Sequence, residues 1–116
     1  MTITEQKAAQ RKAGIAARRA LSDTERTHSN AALCARIMAL DCFKKAENIL
    51  LYAAFGGEAD LSTLAVEAAR QGKTLAYPVC GESFSLTAAV PGPDGWEVGT
   101  YGIRTPILSR SAVLPP

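Results

Sequence analysis

A continuous apolar run, Asn48-Ile49-Leu50-Leu51-Tyr52-Ala53-Ala54-Phe55, restricts the fold of this chain more than any other feature of its sequence. It has the length and composition of a strand buried on both faces. Gly56-Gly57 ends it. Asp60 or Ser62 is placed to cap a helix in which Leu61, Leu64, Ala65, Ala68 and Ala69 recur at helical spacing. Gly72 stops that helix, and Thr74 to Val79 forms a second apolar strand. Strand, capped helix and strand joined by tight glycine connections make a βαβ unit, which predicts two parallel strands.

The flanking segments fit around that unit. Residues 3–20 contain no proline and one glycine, and predict a helix. Ser22-Asp23-Thr24-Glu25 is a capping box, in which the Ser hydroxyl and the Glu carboxylate satisfy reciprocal backbone donors. It opens a second helix running to about Leu40. Ser83 to Val90 alternates weakly and predicts a third strand. Pro91-Gly92-Pro93-Asp94-Gly95 is a turn, and a loop through Gly99 and Gly102 to Pro106 follows. The expectation is one domain over residues 1–116, an α/β fold with a mostly parallel sheet. It resembles a three-layer sandwich left incomplete, because one crossover helix and two N-terminal helices are thin cover for a parallel sheet.

Composition narrows the class. The 116 residues are 47% hydrophobic and 21% charged, and 21 of them are Ala, so small side chains should fill the core. No run reaches the roughly 18 apolar residues of a membrane-spanning helix, so no membrane partner is expected. Cys34, Cys42 and Cys80 are odd in number and lack CxxC spacing, which points to buried or free thiols in a cytoplasmic protein. The net charge of +2 is too small to imply a polyanion partner. Its distribution is uneven, with six basic and three acidic groups in the first thirty residues.

Three places carry candidate chemistry. On the first helix Lys7, Arg11 and Arg18 fall within about 40° of one another, a stripe able to hold a polyphosphate. Lys12 and Arg19 lie on a neighbouring line, and by spacing alone a solvated helix face is the stronger reading. At the end of the first strand, Phe55-Gly56-Gly57-Glu58-Ala59-Asp60 lies where open α/β sheets collect ligands. Asp60 has helix capping as an equal reading, whereas Glu58 has no evident structural duty. The loop Val98 to Pro106 presents Tyr101 between flexible residues, as a ring cover or as a loop anchor. His28 reads as a surface residue, and Trp96 as a staple of its loop.

The order of these pieces resembles the 5-formyltetrahydrofolate cyclo-ligase family, also called methenyltetrahydrofolate synthetase. The resemblance rests on Lys7-Ala8-Ala9-Gln10-Arg11, on Arg18 or Arg19 with Leu21-Ser22-Asp23-Thr24-Glu25 and Ser29, and on Ala46-Glu47-Asn48-Ile49. It continues through Glu58-Ala59-Asp60, Gly72-Lys73 with Pro78, and Tyr101-Gly102-Ile103-Arg104-Thr105-Pro106, where Thr105 replaces the usual Glu. The chain looks like the N-terminal portion of that domain. The family's glycine-rich phosphate segment and the acidic residue associated with magnesium lie further on, so a truncated form is expected.

The resemblance implies a cyclo-ligase fold of the CoA-transferase-like kind. It also implies ATP-dependent conversion of 5-formyltetrahydrofolate to 5,10-methenyltetrahydrofolate, with ATP and Mg2+ required. By the same resemblance Lys7 and Arg11 hold ATP phosphates, Phe55, Glu58 and Asp60 line the folate site, and Tyr101 covers it. The alternatives are an inactive fragment or a small basic module that binds nucleic acid, the less favoured partner.

Overall fold

Two reciprocal caps set the N-terminal helices of the computed structural model, which describes residues 1–115. Helix α1 (Ile3–Ala20) begins where the Thr2 hydroxyl accepts the Glu5 N–H at 3.1 Å and the Glu5 carboxylate accepts the Thr2 N–H. Helix α2 (Asp23–Met38) repeats the device with Ser22 and Glu25, at 3.1 and 3.0 Å. A one-turn helix, α3 (Asp41–Lys45), leads into strand β1 (Asn48–Leu50). Helix α4 (Ser62–Arg70) returns the chain to β2 (Thr74–Cys80), which lies parallel to β1 with Ile49 opposite Leu75. The predicted βαβ unit is therefore present.

Lys73 locks the crossover. Its ammonium donates to the carbonyls of Lys44 and Ala46 at 3.2 and 2.6 Å, and it stands 5.0 Å from the centre of the Phe43 ring. The last turn of α3 thus receives the cation that helix C-termini favour. Cys34, Phe43, Leu51, Leu64 and Ala68 form the buried cluster between α2, α3, α4 and the first two strands. Ala68, Ala76 and Ala89 are fully buried, as the alanine content predicts. Cys34 is buried, and Cys42 and Cys80 are exposed free thiols.

Past β2 the chain departs from the expected pattern. The α/β class holds, but the sheet is mixed rather than mostly parallel. Strand β3 (Leu86–Pro91) runs antiparallel to β2, and the sheet order is β1-β2-β3-β6, with β6 (Ser111–Leu114) antiparallel to β3. The five residues from Gly81 to Ser85 are too few for a crossover and allow only a hairpin. The stretch expected to be a loop up to Pro106 contains a two-stranded ribbon, β4 (Trp96–Val98) with β5 (Arg104–Pro106). Strands of three residues carry no periodicity of their own, so glycine and proline signals dominate the sequence there.

The first apolar run is likewise shorter as a strand than expected. Pairing extends one residue past β1, through Leu51 N–H to Ala76 O at 2.9 Å, and then stops. Leu50 is 62% exposed, because β1 is the sheet edge and has β2 as its one partner among the described residues. No helix among the described residues is long and apolar enough to cross a membrane.

Candidate functional site

The turn after β1 is built from its own atoms. Gly56 and Gly57 have φ of 62° and 82°, a conformation other residues rarely adopt. Within it the Phe55 N–H donates to Glu58 Oε1 at 2.9 Å, and the Glu58 N–H donates to the Phe55 carbonyl at 3.2 Å. Glu58 therefore does have a structural duty, contrary to expectation. Its side chain closes the turn that its backbone enters, a contact no spacing rule reveals.

Asp60 stands at the mouth of α4. Its Oδ1 accepts the Ser62 N–H at 2.9 Å, which fills the role that capping predicts although the cap residue itself is Leu61. The Asp60 N–H donates to Asn30 Oδ1 at 3.1 Å, and the Tyr52 hydroxyl donates to the Ala59 carbonyl at 2.9 Å. Burial raises the Tyr52 phenol above its ordinary value, the charges of Glu58 and Asp60 raise it further, and Arg18 opposes them. Both carboxylates and the end of α1 thus act on one phenol.

Beyond the carboxyl end of β1 an open cleft of about 440 Å³ is lined by Tyr52, Asp60, Tyr77, Trp96 and Arg104, among others. That size and mixture suit a small flat ligand carrying polar edges. The ribbon forms one wall. Trp96 meets Tyr77 edge-on, with ring centres 4.7 Å apart and planes at 71°, and the Arg104 guanidinium lies 4.7 Å from the Trp96 ring centre. Trp96 is therefore a staple, but one that fastens the ribbon to β2 and faces the cleft. Burial raises the Tyr77 phenol, and Arg104 lowers it in part.

Tyr101 occupies the tip of the ribbon, 85% exposed, at φ 63°. The adjacent Gly102 faces Phe55, since a Cβ there would lie 3.7 Å from Phe55 Cε2. The ribbon tip and the Phe55–Asp60 turn, distant in sequence, thus meet at Phe55, while the cleft itself is lined by Asp60 and not by Phe55, Glu58 or Tyr101. Lys7 and Arg11 are not part of this assembly. They sit on exposed surface of α1, and an open groove along that helix is lined by Arg11, Lys12, Ile15 and Arg19 but not Lys7. Arg11 and Lys12, expected on separate lines, share this groove.

Reading the sequence missed Tyr52, Tyr77 and Arg104, and placed Trp96 without its partner. Both tyrosines lie inside apolar runs and look like core. A further omission is the stripe Arg26, Asn30 and Cys34 on α2, one turn apart, in which Arg26 meets Gly57 and both Asn30 and Cys34 meet the Asp60 backbone. Its signal was available, since three residues at i, i+4 and i+8 share a helix face. His28 is exposed, as expected. Among the described residues no three His, Cys, Asp or Glu side chains come together as a metal-holding group.

Comparison with known proteins gives this geometry its context. The structure is similar to the solution structure of 5,10-methenyltetrahydrofolate synthetase from Aquifex aeolicus, with a TM-score of 0.74 and 29% identity. The match covers 91% of this chain and 54% of that one, so the chain spans about half the length of this solved relative. No curated protein matches. The sequence profile of the 5-formyltetrahydrofolate cyclo-ligase family matches residues 3–115, nearly the whole chain, and the chain belongs to that family.

Proposed function

We propose that this chain supplies phosphate- and folate-contacting residues for ATP-dependent closure of 5-formyltetrahydrofolate to 5,10-methenyltetrahydrofolate. The formyl oxygen is a poor leaving group. Its attack on the γ-phosphorus of ATP breaks the bond to ADP and turns that oxygen into part of a phosphate ester. N10 of the folate then attacks the formyl carbon, the C–O bond breaks, phosphate departs, and the N10 proton passes to solvent. Such transfers depend on positioning and charge more than on covalent help from the protein.

In this reading Lys7 and Arg11 neutralise the polyphosphate, the Arg fork and the Lys point charge playing complementary parts. Phe55 and Tyr101 sandwich the flat ring system, and Glu58 and Asp60 accept hydrogen bonds from its amino and amide edge. The observation that supports the reading is the approach of Gly102, next to Tyr101 at the ribbon tip, to Phe55, which heads the turn carrying Glu58 and Asp60, so that two motifs remote in sequence lie side by side. Family membership supplies the reaction class. A cytoplasmic setting belongs to the same proposal.

The test is calorimetric titration of the purified chain with 5-formyltetrahydrofolate, with and without ATP and magnesium. Glu58→Gln keeps the oxygen that accepts the Phe55 N–H but removes the charge. It should weaken folate binding about tenfold, the size of a lost charge-assisted hydrogen bond, while leaving the melting temperature nearly unchanged. Absence of folate binding, together with RNA binding that falls steeply with salt, would replace this reading with that of a nucleic-acid module.

A further inference from the structure

Helix α1 is unusually free for an 18-residue element. None of its residues is buried, and Ile15 and Arg18 alone are partly covered. Among the described residues, one hydrogen bond ties it to another element. That bond comes from Arg26 of α2, whose Nη2 donates to the Arg18 carbonyl at 2.8 Å. A cation at this place also faces the negative end of the α1 dipole.

The same guanidinium touches the other half of the site. From the point where a Cβ would stand on Gly57, Arg26 Nη1 is 3.5 Å away, and Cζ and Nη2 are 3.8 Å away. Its Nε is buried and has no partner, so the group is held by shape and by one bond rather than by an ion pair. One turn further along α2, Asn30 accepts the Asp60 N–H. The face of α2 that holds the Gly57–Asp60 loop is therefore the face that pins α1.

We propose that Arg26 is a positioning residue, a pivot that fixes the angle of α1 relative to the Gly57–Asp60 loop. This rests on the proposed function for its consequence, though not for its mechanics. Arg11 and Lys7 lie about 10 and 16 Å along the helix from Arg18. With that lever, a swing of about 10° at the pivot carries Lys7 by about 3 Å, enough to break a phosphate contact. The planar fork matters, because it reaches the Arg18 carbonyl with one nitrogen while lying along Gly57 with the other. A Lys ammonium is a point charge and serves one of the two places at a time.

The experiment compares the full chain with Arg26→Leu and Arg26→Lys. Hydrogen exchange of α1 and trypsin cleavage after Arg18 and Arg19 read the pivot without any ligand. Titrations with ATP and with 5-formyltetrahydrofolate read its consequence. Both measures of α1 mobility should rise at least fivefold in Arg26→Leu and less in Arg26→Lys, with exchange at Leu64 and Ala76 unchanged. ATP affinity should fall about tenfold while folate affinity changes less than threefold, a split that general destabilisation would not produce. Unaltered α1 mobility in both variants overturns the proposal, as does an equal loss of both ligands. Should Arg26→Leu fail to fold, Arg26→Lys retains the size and charge and decides the matter alone. A wild-type chain that binds no ATP, with α1 still loosened by either substitution, would sink the proposed function and leave the pivot standing.

Discussion

Tyr101 sits in left-handed backbone, where a Cβ crowds the following carbonyl at a cost of roughly 1–2 kcal/mol. Nothing in the turn itself requires an aromatic there, and the ring is almost wholly exposed. Strain retained for an exposed ring is what a ligand contact would explain. Tyr101→Gly should therefore raise the melting temperature or leave it unchanged while folate affinity falls at least tenfold. A loss of stability without change in binding would make Tyr101 a loop anchor. Tyr52 and Tyr77 offer a second test. Both phenols are raised above 10.0 in the folded state, chiefly by burial. Their native environments thus favour the protonated form. The contribution is fully present below about pH 10 and is lost as pH rises through the folded values. Melting temperature followed from pH 8 to pH 11.5 should fall more gently in Tyr52→Phe than in the parent, with tyrosinate absorbance appearing later in the parent than in a denatured control.

At the scale of elements, short-range chemistry starts the helices and long-range packing holds the short strands. The α2 capping box depends on Ser22 and Glu25 alone. Ser22→Ala should cost about 1 kcal/mol, lowering the melting temperature by roughly 4 °C in a chain of this length. The backbone hydrogen bond to Ser22 lowers the Glu25 carboxyl below 4.5. The stability it contributes is present above 4.5 and is lost as pH falls through that lowered value. Glu25→Gln should therefore flatten the acid limb of the stability profile, as measured by circular dichroism between pH 2 and pH 5. The ribbon is different in kind. Two strands of three residues do not persist unaided, so the contact of Trp96 with Tyr77 and Arg104 supplies what the strands lack. Trp96→Ala should cost about 2 kcal/mol, less than a fully buried Trp would, and release the ribbon before the βαβ unit unfolds.

The whole molecule is more open than its mass suggests. Its accessible surface is 8608 Å², against about 6,100 Å² for a typical folded protein of the same size. Its radius of gyration is 16.2 Å, against about 13.4 Å. The bare length of α1 and the exposed edge at Leu50 both contribute. Less surface is hidden on folding than usual, so the heat-capacity change of unfolding should fall clearly below the about 1.5 kcal/mol/K expected for 116 residues. Scanning calorimetry measures it directly. A value at or above that figure would mean that the excess surface is covered in solution.

Sequence by itself determined the parts whose physics is local. Ser22 and Glu25 are three residues apart, and Gly72 ends a helix because of its own φ of 81°. The apolar runs and the capped helix between them were enough to place β1, α4 and β2 in parallel order, since a crossover of that length has one favoured hand and direction. The strand-end turn and the Tyr101 loop were also recognisable, because glycine pairs and an isolated aromatic stand out in any sequence. Tertiary structure decided the rest. It turned the stretch after Pro91 into a ribbon and a sheet strand, because strands this short are defined by partners remote in sequence. It also gave Glu58 a bond to Phe55, set Tyr77 against Trp96, and put Arg26 between two elements it does not belong to. Each of these contacts is set by where a side chain ends rather than where it is attached, and no residue spacing records that.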